Sequence, residues 1–265
     1  MRLYDPNPSI LEALRGSNIE VMLDIPNTDL RNLASDPSAA NVWVQTYIIP
    51  YSRPHIKFKY IAVATEAIPR TSLQNVGQYV LPAMRNIRTS LLSVGRDEIK
   101  VSTAVSAALF TLFLADTEEI LEPIIRFLNS TGSPLLVNVD PYLSYINNMD
   151  IFDLNYALFT SPGTNLFDAL LDKVYSALEK TGGSNVDIVV SESGWPSAGG
   201  VAASVDNAQT YNQNLINHVR QGTPKGPRVV EVFLYEMFNE NQKSPEYEKH
   251  FGLFNPDGTP VYVLY

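Results

Sequence analysis

The sequence predicts an α/β fold, a (β/α)8 TIM barrel formed by one domain over residues 1–265. Short apolar strands alternate with amphipathic helices along the whole chain, a pattern typical of a parallel sheet. The length of 265 residues is close to the roughly 250 residues of one such barrel. We find no shift in composition that would mark a boundary between two domains.

Seven segments have the short, β-branched and apolar composition of buried strands. They are Met1–Tyr4, Ile19–Leu23, Phe58–Val63, Lys100–Val105, Leu135–Val139, Asp187–Val190 and Val229–Tyr235. A complete barrel of this kind has eight strands. The count therefore predicts that one strand is absent.

Seven segments between these strands have the spacing of apolar residues that is typical of helices. They are Ser9–Arg15, Asp29–Ala34, Ala39–Tyr47, Leu73–Val94, Glu118–Leu128, Asn165–Lys180 and Ala208–Arg220. Pro82 predicts a break or a fresh first turn within the fourth of them. Asp257-Gly258 predicts a tight turn in a hairpin-like segment near the C-terminus.

Charge and composition exclude several classes of function. The formal net charge is −9 and lysine and arginine form no cluster, so we expect neither nucleic acid nor a membrane as partner and favour a neutral substrate. The three histidines are far apart and there is no cysteine, so we expect no metal and no cofactor. Met1–Tyr4 resembles a strand, so we also expect no signal peptide in this chain.

Two glutamates at the ends of apolar strands are the candidate catalytic residues. Glu192 follows Asp187–Val190 and precedes Gly194-Trp195-Pro196, and Glu66 follows Lys59-Tyr-Ile-Ala-Val-Ala-Thr65. Carboxylates where parallel strands end, followed by an aromatic loop, are typical of a barrel active site and point to carbohydrate chemistry. The alternative is that each glutamate only begins a helix, where the helix dipole favours an acidic side chain.

Ordered motifs along the chain resemble the plant β-1,3-glucanases of glycoside hydrolase family 17. They are Arg2-Leu-Tyr-Asp-Pro6, Tyr60-Ile-Ala-Val63, Tyr79-Val-Leu-Pro-Ala-Met84, Pro134-Leu-Leu-Val-Asn138, Val190-Ser-Glu-Ser-Gly-Trp-Pro-Ser197, Phe238-Asn-Glu-Asn-Gln-Lys243 and His250-Phe-Gly-Leu-Phe254. The resemblance implies the barrel fold and retaining hydrolysis of internal β-1,3-glucosidic bonds in a β-1,3-glucan.

The resemblance also implies roles for individual residues. Glu192 matches the nucleophile and Glu66 the acid/base, while Glu240 and Lys243 match an accessory charged pair. We hypothesise that Lys243 favours the charged form of Glu192. Aromatic side chains would provide flat surfaces for sugar rings, with packing at the barrel mouth as the alternative; they are Tyr4, Tyr142, Tyr145 and Trp195.

The sequence departs from the family pattern next to these residues. Ala64-Thr65 stand where the family has Gly-Asn, and the shorter Thr65 cannot reproduce the hydrogen bonds of an asparagine to a sugar hydroxyl. Asp140 replaces an aromatic residue and would add negative charge if it points inward. Glu236 stands where we expect a small apolar residue.

Segments of the family pattern are also shorter or absent here. The loop after Val105 and the loop between Pro162 and Asn165 are short. In the family a first strand and helix precede the motif that begins here at Arg2, so the resemblance implies that this strand and helix are missing. A sheet without that strand has two unpaired edges, which predicts either rearranged neighbouring strands or a homodimer that seals the gap.

These departures leave more than one function open. The first interpretation is a glucan endo-1,3-β-glucosidase of plant defence or cell-wall remodelling, with weakened activity, in a protein that the resemblance places in the secreted or vacuolar compartment. The second is a catalytically inactive family member that binds glucan or has been repurposed. A shortened or altered scaffold is the third.

Overall fold

A computed structural model describes residues 1–52, 54–68, 76–111 and 115–265. The predicted start of a helix at Leu73 lies outside the described residues, as do residues 112–114 of the loop after Val105. Seven β-strands are present in the described part: β1 Arg2–Leu3, β2 Glu20–Ile25, β3 Lys57–Thr65, β4 Lys100–Ser106, β5 Leu135–Asn138, β6 Ile188–Ser193 and β7 Glu231–Leu234. The predicted count of seven strands is confirmed for these residues.

Nine α-helices connect or follow these strands in the part of the chain that the structure describes. They are α1 Pro8–Ala13, α2 Leu30–Ser35, α3 Pro37–Tyr47, α4 Gly77–Ser93, α5 Ala115–Thr131, α6 Pro141–Ile146, α7 Leu154–Ala157, α8 Leu166–Lys180 and α9 Val205–His218. None of these helices is long and apolar enough to cross a membrane.

The strands form one sheet in which consecutive strands are neighbours, in the order β1-β2-β3-β4-β5-β6-β7. They are parallel, with Leu3 opposite Leu23, Ile25 opposite Val63 and Val190 opposite Val232. Parallel neighbours must be joined by a crossover connection, usually a helix. The predicted alternation of strands and helices follows this rule.

The chain divides into two compact units. The first comprises residues 1–105, 112–136 and 178–188, and the second comprises residues 106–111, 137–177 and 189–265. The strands β4, β5 and β6 and the helix α8 each contribute residues to both units.

The core of the first unit consists of strand side chains and one face of α4. Residues 21–25 of β2 and residues 60–64 of β3 are buried in unbroken runs, as expected for parallel strands covered on both faces. Val80, Met84, Ile87 and Leu91 of α4 are also fully buried, at the spacing of one helix face. Burial of each such side chain contributes on the order of 1.5–3 kcal/mol.

The core of the second unit is formed by two amphipathic helices. Leu166, Leu170 and Val174 of α8 are buried, and so are Tyr211 and Leu215 of α9. Asp168, in the first turn of α8, accepts a hydrogen bond from Asn165 Nδ2 at 2.8 Å. Its other oxygen lies 2.7 Å from His218 Nε2 at the end of α9. This polar contact joins one end of each helix.

Three expectations from the sequence differ from the structure. The helix α4 continues through Pro82 without a break. The proline removes one backbone hydrogen bond, but burial of the apolar helix face on both sides of it outweighs that loss. Glu192 lies within β6, which extends to Ser193. The helices α6 and α7, of six and four residues, are present in addition to the predicted helices.

The predicted turn at Asp257-Gly258 is confirmed. Gly258 has a φ of +84°, a conformation that glycine adopts without steric cost. The backbone N–H of Asn255 donates to the Thr259 carbonyl at 2.8 Å, and Phe254 forms an antiparallel bridge with Pro260.

Candidate active site

Glu66 directly follows β3 and its side chain is exposed. Its backbone N–H donates to the Ala104 carbonyl at 2.8 Å. Both Ala64 and Glu66 have positive φ angles, +70° and +50°. Such angles are costly for residues with a Cβ and cluster at functional sites. The chain therefore leaves β3 through a strained turn that presents Glu66 to solvent.

The Thr65 hydroxyl belongs to a buried ion-pair network. Arg2 Nη2 donates to Asp24 Oδ2 at 2.6 Å and to Thr65 Oγ1 at 2.8 Å. Thr65 Oγ1 donates in turn to Asp24 Oδ2 at 2.7 Å. The side chains of Arg2 and Asp24 are 3% and 2% exposed. The network ties the carboxyl-terminal part of β3 to β1 and β2.

This network changes the interpretation of Thr65. The sequence predicts Thr65 to be a shortened substrate contact, whereas in the structure its hydroxyl is engaged by a guanidinium and a carboxylate. Arg2 and Asp24 are not among the predicted site residues. A signal was present, because Asp24 is a charged residue inside the apolar run of β2 and a buried charge requires a partner.

Asn27 fixes the backbone of Thr65 as well. Its Nδ2 donates to the Thr65 carbonyl at 2.9 Å, and its Oδ1 accepts from the Thr65 N–H at 3.0 Å. Both backbone groups of the residue before Glu66 are thus satisfied by one amide side chain, which limits movement of the turn that carries Glu66.

Tyr4 is the aromatic side chain of the predicted set whose ring is most open to solvent. It is 43% exposed, and the Arg2 guanidinium lies 4.7 Å from its ring centroid. A cation over one ring face holds the ring by a cation–π contact. Its predicted role as a surface for a sugar ring is compatible with this exposure and stays a prediction.

Glu192 is half-buried in β6, and its backbone is held on both sides. The Val139 N–H donates to the Glu192 carbonyl at 2.9 Å, and the Tyr235 N–H donates to the Ser193 carbonyl at 2.9 Å. A Cβ at Gly194 would collide with the Tyr235 carbonyl oxygen. Glycine is required there because the chain after Glu192 passes directly against the end of β7.

Trp195 and Tyr142 do not offer open ring faces. Trp195 is 0% and Tyr142 is 1% exposed, and their ring centroids lie 5.1 Å apart in an edge-to-face contact. Trp195 Nε1 donates to the Ala202 carbonyl at 2.9 Å. The burial of both rings favours the packing alternative over the sugar-stacking role that the sequence analysis expected for them.

Tyr145 is half-buried, and its ring centroid lies 6.0 Å from that of Trp195. Asp140 is half-buried as well, directly before α6. Burial is the main cause that raises the pKa of Tyr211 above its ordinary value, and the nearby Asp140 carboxylate adds to it. Asp140 thus contributes negative charge within this unit.

Lys243 pairs with a carboxylate other than the one that the resemblance implied. Its Nζ donates to both oxygens of Glu236 at 2.8 Å and to the Tyr235 hydroxyl at 2.7 Å. The Glu240 carboxylate instead accepts the backbone N–H groups of Gln242 and Lys243, at 2.6 and 2.9 Å. The expected pair of Glu240 and Lys243 is therefore connected through the Lys243 backbone, while the ammonium group belongs to Glu236.

The surroundings shift the pKa values of these groups. Burial raises the pKa of the Glu236 carboxyl, although the hydrogen bond from Lys243 opposes it. Desolvation acts to lower the pKa of Lys243, but the hydrogen bonds to Glu236 and Tyr235 raise it overall. Desolvation also opposes ionisation of Glu240, but the backbone N–H donors outweigh it and lower that pKa. Lys243 and Glu240 are thus kept charged.

Burial also raises the pKa of Tyr235 to about 12. The hydrogen bond from Lys243 opposes the rise, whereas the carboxylates of Glu236 and Glu192 add to it. Tyr235 is therefore a neutral hydroxyl that lies within electrostatic reach of both carboxylates. Tyr235 is not among the predicted site residues, because its position after β7 shows no pattern that distinguishes it from a packing residue.

No group of three or more acidic or histidine side chains in the described ranges is arranged to hold a metal ion. The chemistry that these residues can supply is proton transfer and nucleophilic attack by carboxyl groups. Glu66 and Glu192 each lie at the carboxyl end of a strand, on a backbone that neighbouring strands hold in place.

Comparison with known proteins gives a match over the full chain. The family described as "Glycosyl hydrolases family 17" matches residues 1–265. A glucan endo-1,3-beta-glucosidase of Vitis vinifera is 53% identical over 284 residues, which cover 100% of this chain and 82% of the relative. The basic vacuolar isoform of glucan endo-1,3-beta-glucosidase from Nicotiana plumbaginifolia is 47% identical, over 100% of this chain and 77% of the relative.

A solved structure is similar over the whole chain too. It is one of two plant beta-glucan endohydrolases with distinct substrate specificities, with a TM-score of 0.94 and 41% sequence identity, and the match covers 100% of this chain and 90% of that one. At this identity and coverage the likeness extends to the arrangement of the strands and helices.

Proposed function

Because the chain belongs to glycosyl hydrolase family 17 and has the (β/α)8 barrel fold of that family, we propose that it hydrolyses internal β-1,3-glucosidic bonds of β-1,3-glucans with retention of configuration. The family match over residues 1–265 is the observation that carries the proposal. The relatives named glucan endo-1,3-beta-glucosidase support the choice of substrate.

The proposed mechanism assigns one role to each glutamate. Glu192 attacks the anomeric carbon while Glu66 donates its proton to the leaving oxygen, so that the glycosidic bond breaks and a glycosyl–Glu192 ester forms. Glu66 then removes a proton from water, and the water oxygen attacks the anomeric carbon and releases Glu192 as a carboxylate. Two inversions give net retention. The mechanism requires about 5–5.5 Å between the two carboxyl groups.

The site as described provides for parts of this reaction. The strained turn at Ala64–Glu66 leaves Glu66 exposed, where it can exchange its proton with water. Glu192 is half-buried within electrostatic reach of Tyr235, whose hydroxyl Lys243 contacts. In the proposal Tyr4 and Tyr145 contact sugar rings, while Trp195 and Tyr142 are buried packing residues, and Trp195 packs against Tyr145.

The first test is reducing-sugar release from laminarin, with Glu192→Gln and Glu66→Gln measured beside the unmodified protein. Each substitution removes a group that reacts directly, so we expect kcat to fall by a factor of about 10³ or more. The control is Glu119→Gln, an exposed glutamate of α5, which should leave kcat unchanged. Proton NMR of the first product should show the β-anomer.

A second candidate function is glucan binding without hydrolysis. Two observations favour it: the Thr65 hydroxyl is engaged by Arg2 and Asp24, and the Lys243 ammonium is engaged by Glu236. Laminarin-oligosaccharide binding measured by calorimetry, without release of reducing sugar, would establish this function and reject hydrolysis. Absence of both binding and release would reject both proposals.

We also propose a location, an assembly and a domain organisation. The Nicotiana plumbaginifolia relative is a vacuolar isoform, which supports a vacuolar or secreted protein of plant defence or cell-wall remodelling. The end strands of the sheet are β1 and β7, and sheet edges support association into a homodimer. Strands that contribute residues to both compact units support one domain over residues 1–265.

A further inference from the structure

A sequence motif that the proposed function does not use lies at the end of α5. Asn129-Ser130-Thr131 has the pattern of an acceptor for an N-linked glycan, which is Asn-X-Ser or Asn-X-Thr with any residue but proline at X. Asn7-Pro8-Ser9 has proline at the middle position and is excluded. No other asparagine of the sequence is followed two positions later by serine or threonine. The sequence therefore offers one acceptor, Asn129.

The fold places Asn129 where a bulky group can be attached. Asn129 and Ser130 are exposed in the last turn of α5. The helix ends at Gly132, which has a φ of +58°, and the Ser133 N–H donates to the Leu128 carbonyl at 3.0 Å. This hydrogen bond and the positive φ form a common type of helix C-terminus. A glycan at Asn129 would extend into solvent from a closed helix end and would displace no core side chain.

The Thr131 hydroxyl, which the motif requires, is engaged in the folded chain. It donates to the Phe127 carbonyl at 3.0 Å and lies 3.0 Å from the Ser133 hydroxyl. Successive residues of an α-helix are turned by about 100°, so side chains two positions apart do not face each other. An enzyme that recognises the Asn129 amide and the Thr131 hydroxyl together cannot reach both on the folded helix. Transfer of a glycan must therefore precede formation of the last turn of α5.

We propose that Asn129 is an N-glycosylation site that is modified before α5 forms its last turn. The co-reactant is an oligosaccharide carried on a lipid diphosphate. The Asn129 Nδ2 atom attacks the anomeric carbon of the first sugar and loses one proton, a carbon–nitrogen bond forms, and the bond to the diphosphate oxygen breaks. The lipid diphosphate leaves with the electron pair of that bond. The inference goes beyond the proposed hydrolysis and rests on the proposed vacuolar or secreted location.

The glycan would lie away from Glu66. Both Asn129 and Glu66 belong to the first unit. The helix that carries Asn129 leads into the amino end of β5 at Leu135, whereas Glu66 follows the carboxyl end of β3. In a sheet of parallel strands the amino ends lie at one edge and the carboxyl ends at the other. We therefore expect hydrolysis of laminarin to be the same with and without the glycan.

The experiment is expression of the full chain behind a cleavable secretion leader in plant cells. Peptide mass spectrometry of the secreted protein should find an N-linked glycan at Asn129 and none at Asn7. An amidase that removes N-linked glycans should increase the mobility of the protein on a denaturing gel, and in Asn129→Gln this increase should be lost. A secreted chain whose Asn129 is unmodified would overturn the inference.

Two matched variants separate recognition of the motif from a change in the helix end. The Ser130 hydroxyl also donates to the Phe127 carbonyl, at 2.8 Å, but the middle position of the motif does not require a hydroxyl. Thr131→Ala should abolish the modification, whereas Ser130→Ala and Thr131→Ser should keep it. An equal loss in Ser130→Ala and Thr131→Ala would contradict recognition of the motif. Unchanged far-ultraviolet circular dichroism identifies the variants that have kept their fold.

The proposed order of modification and folding has its own test. The unmodified chain, made in bacteria without a leader, is purified in its folded state and incubated with solubilised oligosaccharyltransferase and the lipid-linked oligosaccharide. It should stay unmodified, while the same chain translated into microsomes should be modified at Asn129. Equal modification of the folded and the nascent chain would overturn this order.

These measurements also separate the inference from the proposals on which it borders. The leader directs the chain to the secretory route, so an unmodified Asn129 counts against the inference and leaves the proposed location open to its own test. A chain that is glycosylated but does not hydrolyse laminarin would support the inference and reject hydrolysis. A secreted chain that hydrolyses laminarin without a glycan would support hydrolysis and reject the inference.

Discussion

At the scale of single residues, the backbone at the end of β3 is strained at Ala64, and a substitution there could relieve the strain. Ala64 has a φ of +70° and is fully buried. An L-residue with a Cβ pays about 1–2 kcal/mol in this region, and glycine avoids that cost. Glycine also loses more freedom on folding, which offsets roughly half of the gain. The alanine of this chain therefore keeps a strain that a glycine would relieve.

We expect Ala64→Gly to raise the free energy of unfolding by about 0.5–1 kcal/mol, because relief of the strained φ outweighs the added chain entropy. The melting temperature should rise by about 2 °C. The control is Ala62→Gly in the same strand, where φ is not positive and a loss of about 1 kcal/mol is expected. Equal losses of stability in both variants, measured by calorimetry, would refute the prediction.

At the scale of secondary-structure elements, the first three strands are joined by the network of Arg2, Asp24 and Thr65. The guanidinium donates to both carboxylate oxygens of Asp24, at distances of 2.6–3.2 Å. Removing one partner of a buried ion pair leaves an uncompensated charge, which costs far more than the pair itself contributes. The network therefore fixes how β1, β2 and the carboxyl-terminal part of β3 are placed in the first unit.

We expect Asp24→Ala to lower the free energy of unfolding by about 3–5 kcal/mol, because Arg2 would remain buried and charged. The matched control is Glu12→Ala, which removes the carboxylate of an exposed pair with Arg15 and should cost no more than about 1 kcal/mol. Urea unfolding followed by circular dichroism measures both. The double variant Arg2→Met with Asp24→Leu should recover much of the loss, and a double variant as unstable as Asp24→Ala would contradict the argument.

At the scale of the whole molecule, the proposed homodimer would depend on the ends of the sheet. The end strands β1 and β7 are two and four residues long, and unpaired strand edges invite pairing with another chain. Short edge strands limit that tendency. The expected result is a homodimer at micromolar concentration that dissociates on dilution.

Sedimentation equilibrium over a dilution series tests this expectation. The apparent mass should approach twice that of one chain at the highest concentration and fall toward one chain on dilution. A mass that equals one chain at every concentration would reject the homodimer and favour the other expectation from the sequence, in which neighbouring strands rearrange to close the sheet.

The order of strands and helices and the two glutamates near strand ends could be predicted from local features: apolar runs, helical spacing, and a carboxylate close to the end of a strand. The family was predicted from the resemblance of ordered motifs along the chain. Segment ends were placed to within a few residues. The short helices α6 and α7 were missed, although α1 and α2, with six residues each, were predicted.

Which side chains meet depends on the folded path of the chain. Asp24 and Thr65 are 41 residues apart in the chain, and Trp195 is buried by rings from several segments. Lys243 has carboxylates at Glu236 and Glu240 within reach along the chain, and local sequence cannot choose between them. After β7 the chain places the Glu236 carboxylate at the Lys243 ammonium group and the Glu240 carboxylate at the Lys243 backbone N–H. Which charged side chains pair depends on their distances in the folded chain, and a periodic sequence pattern does not give these distances.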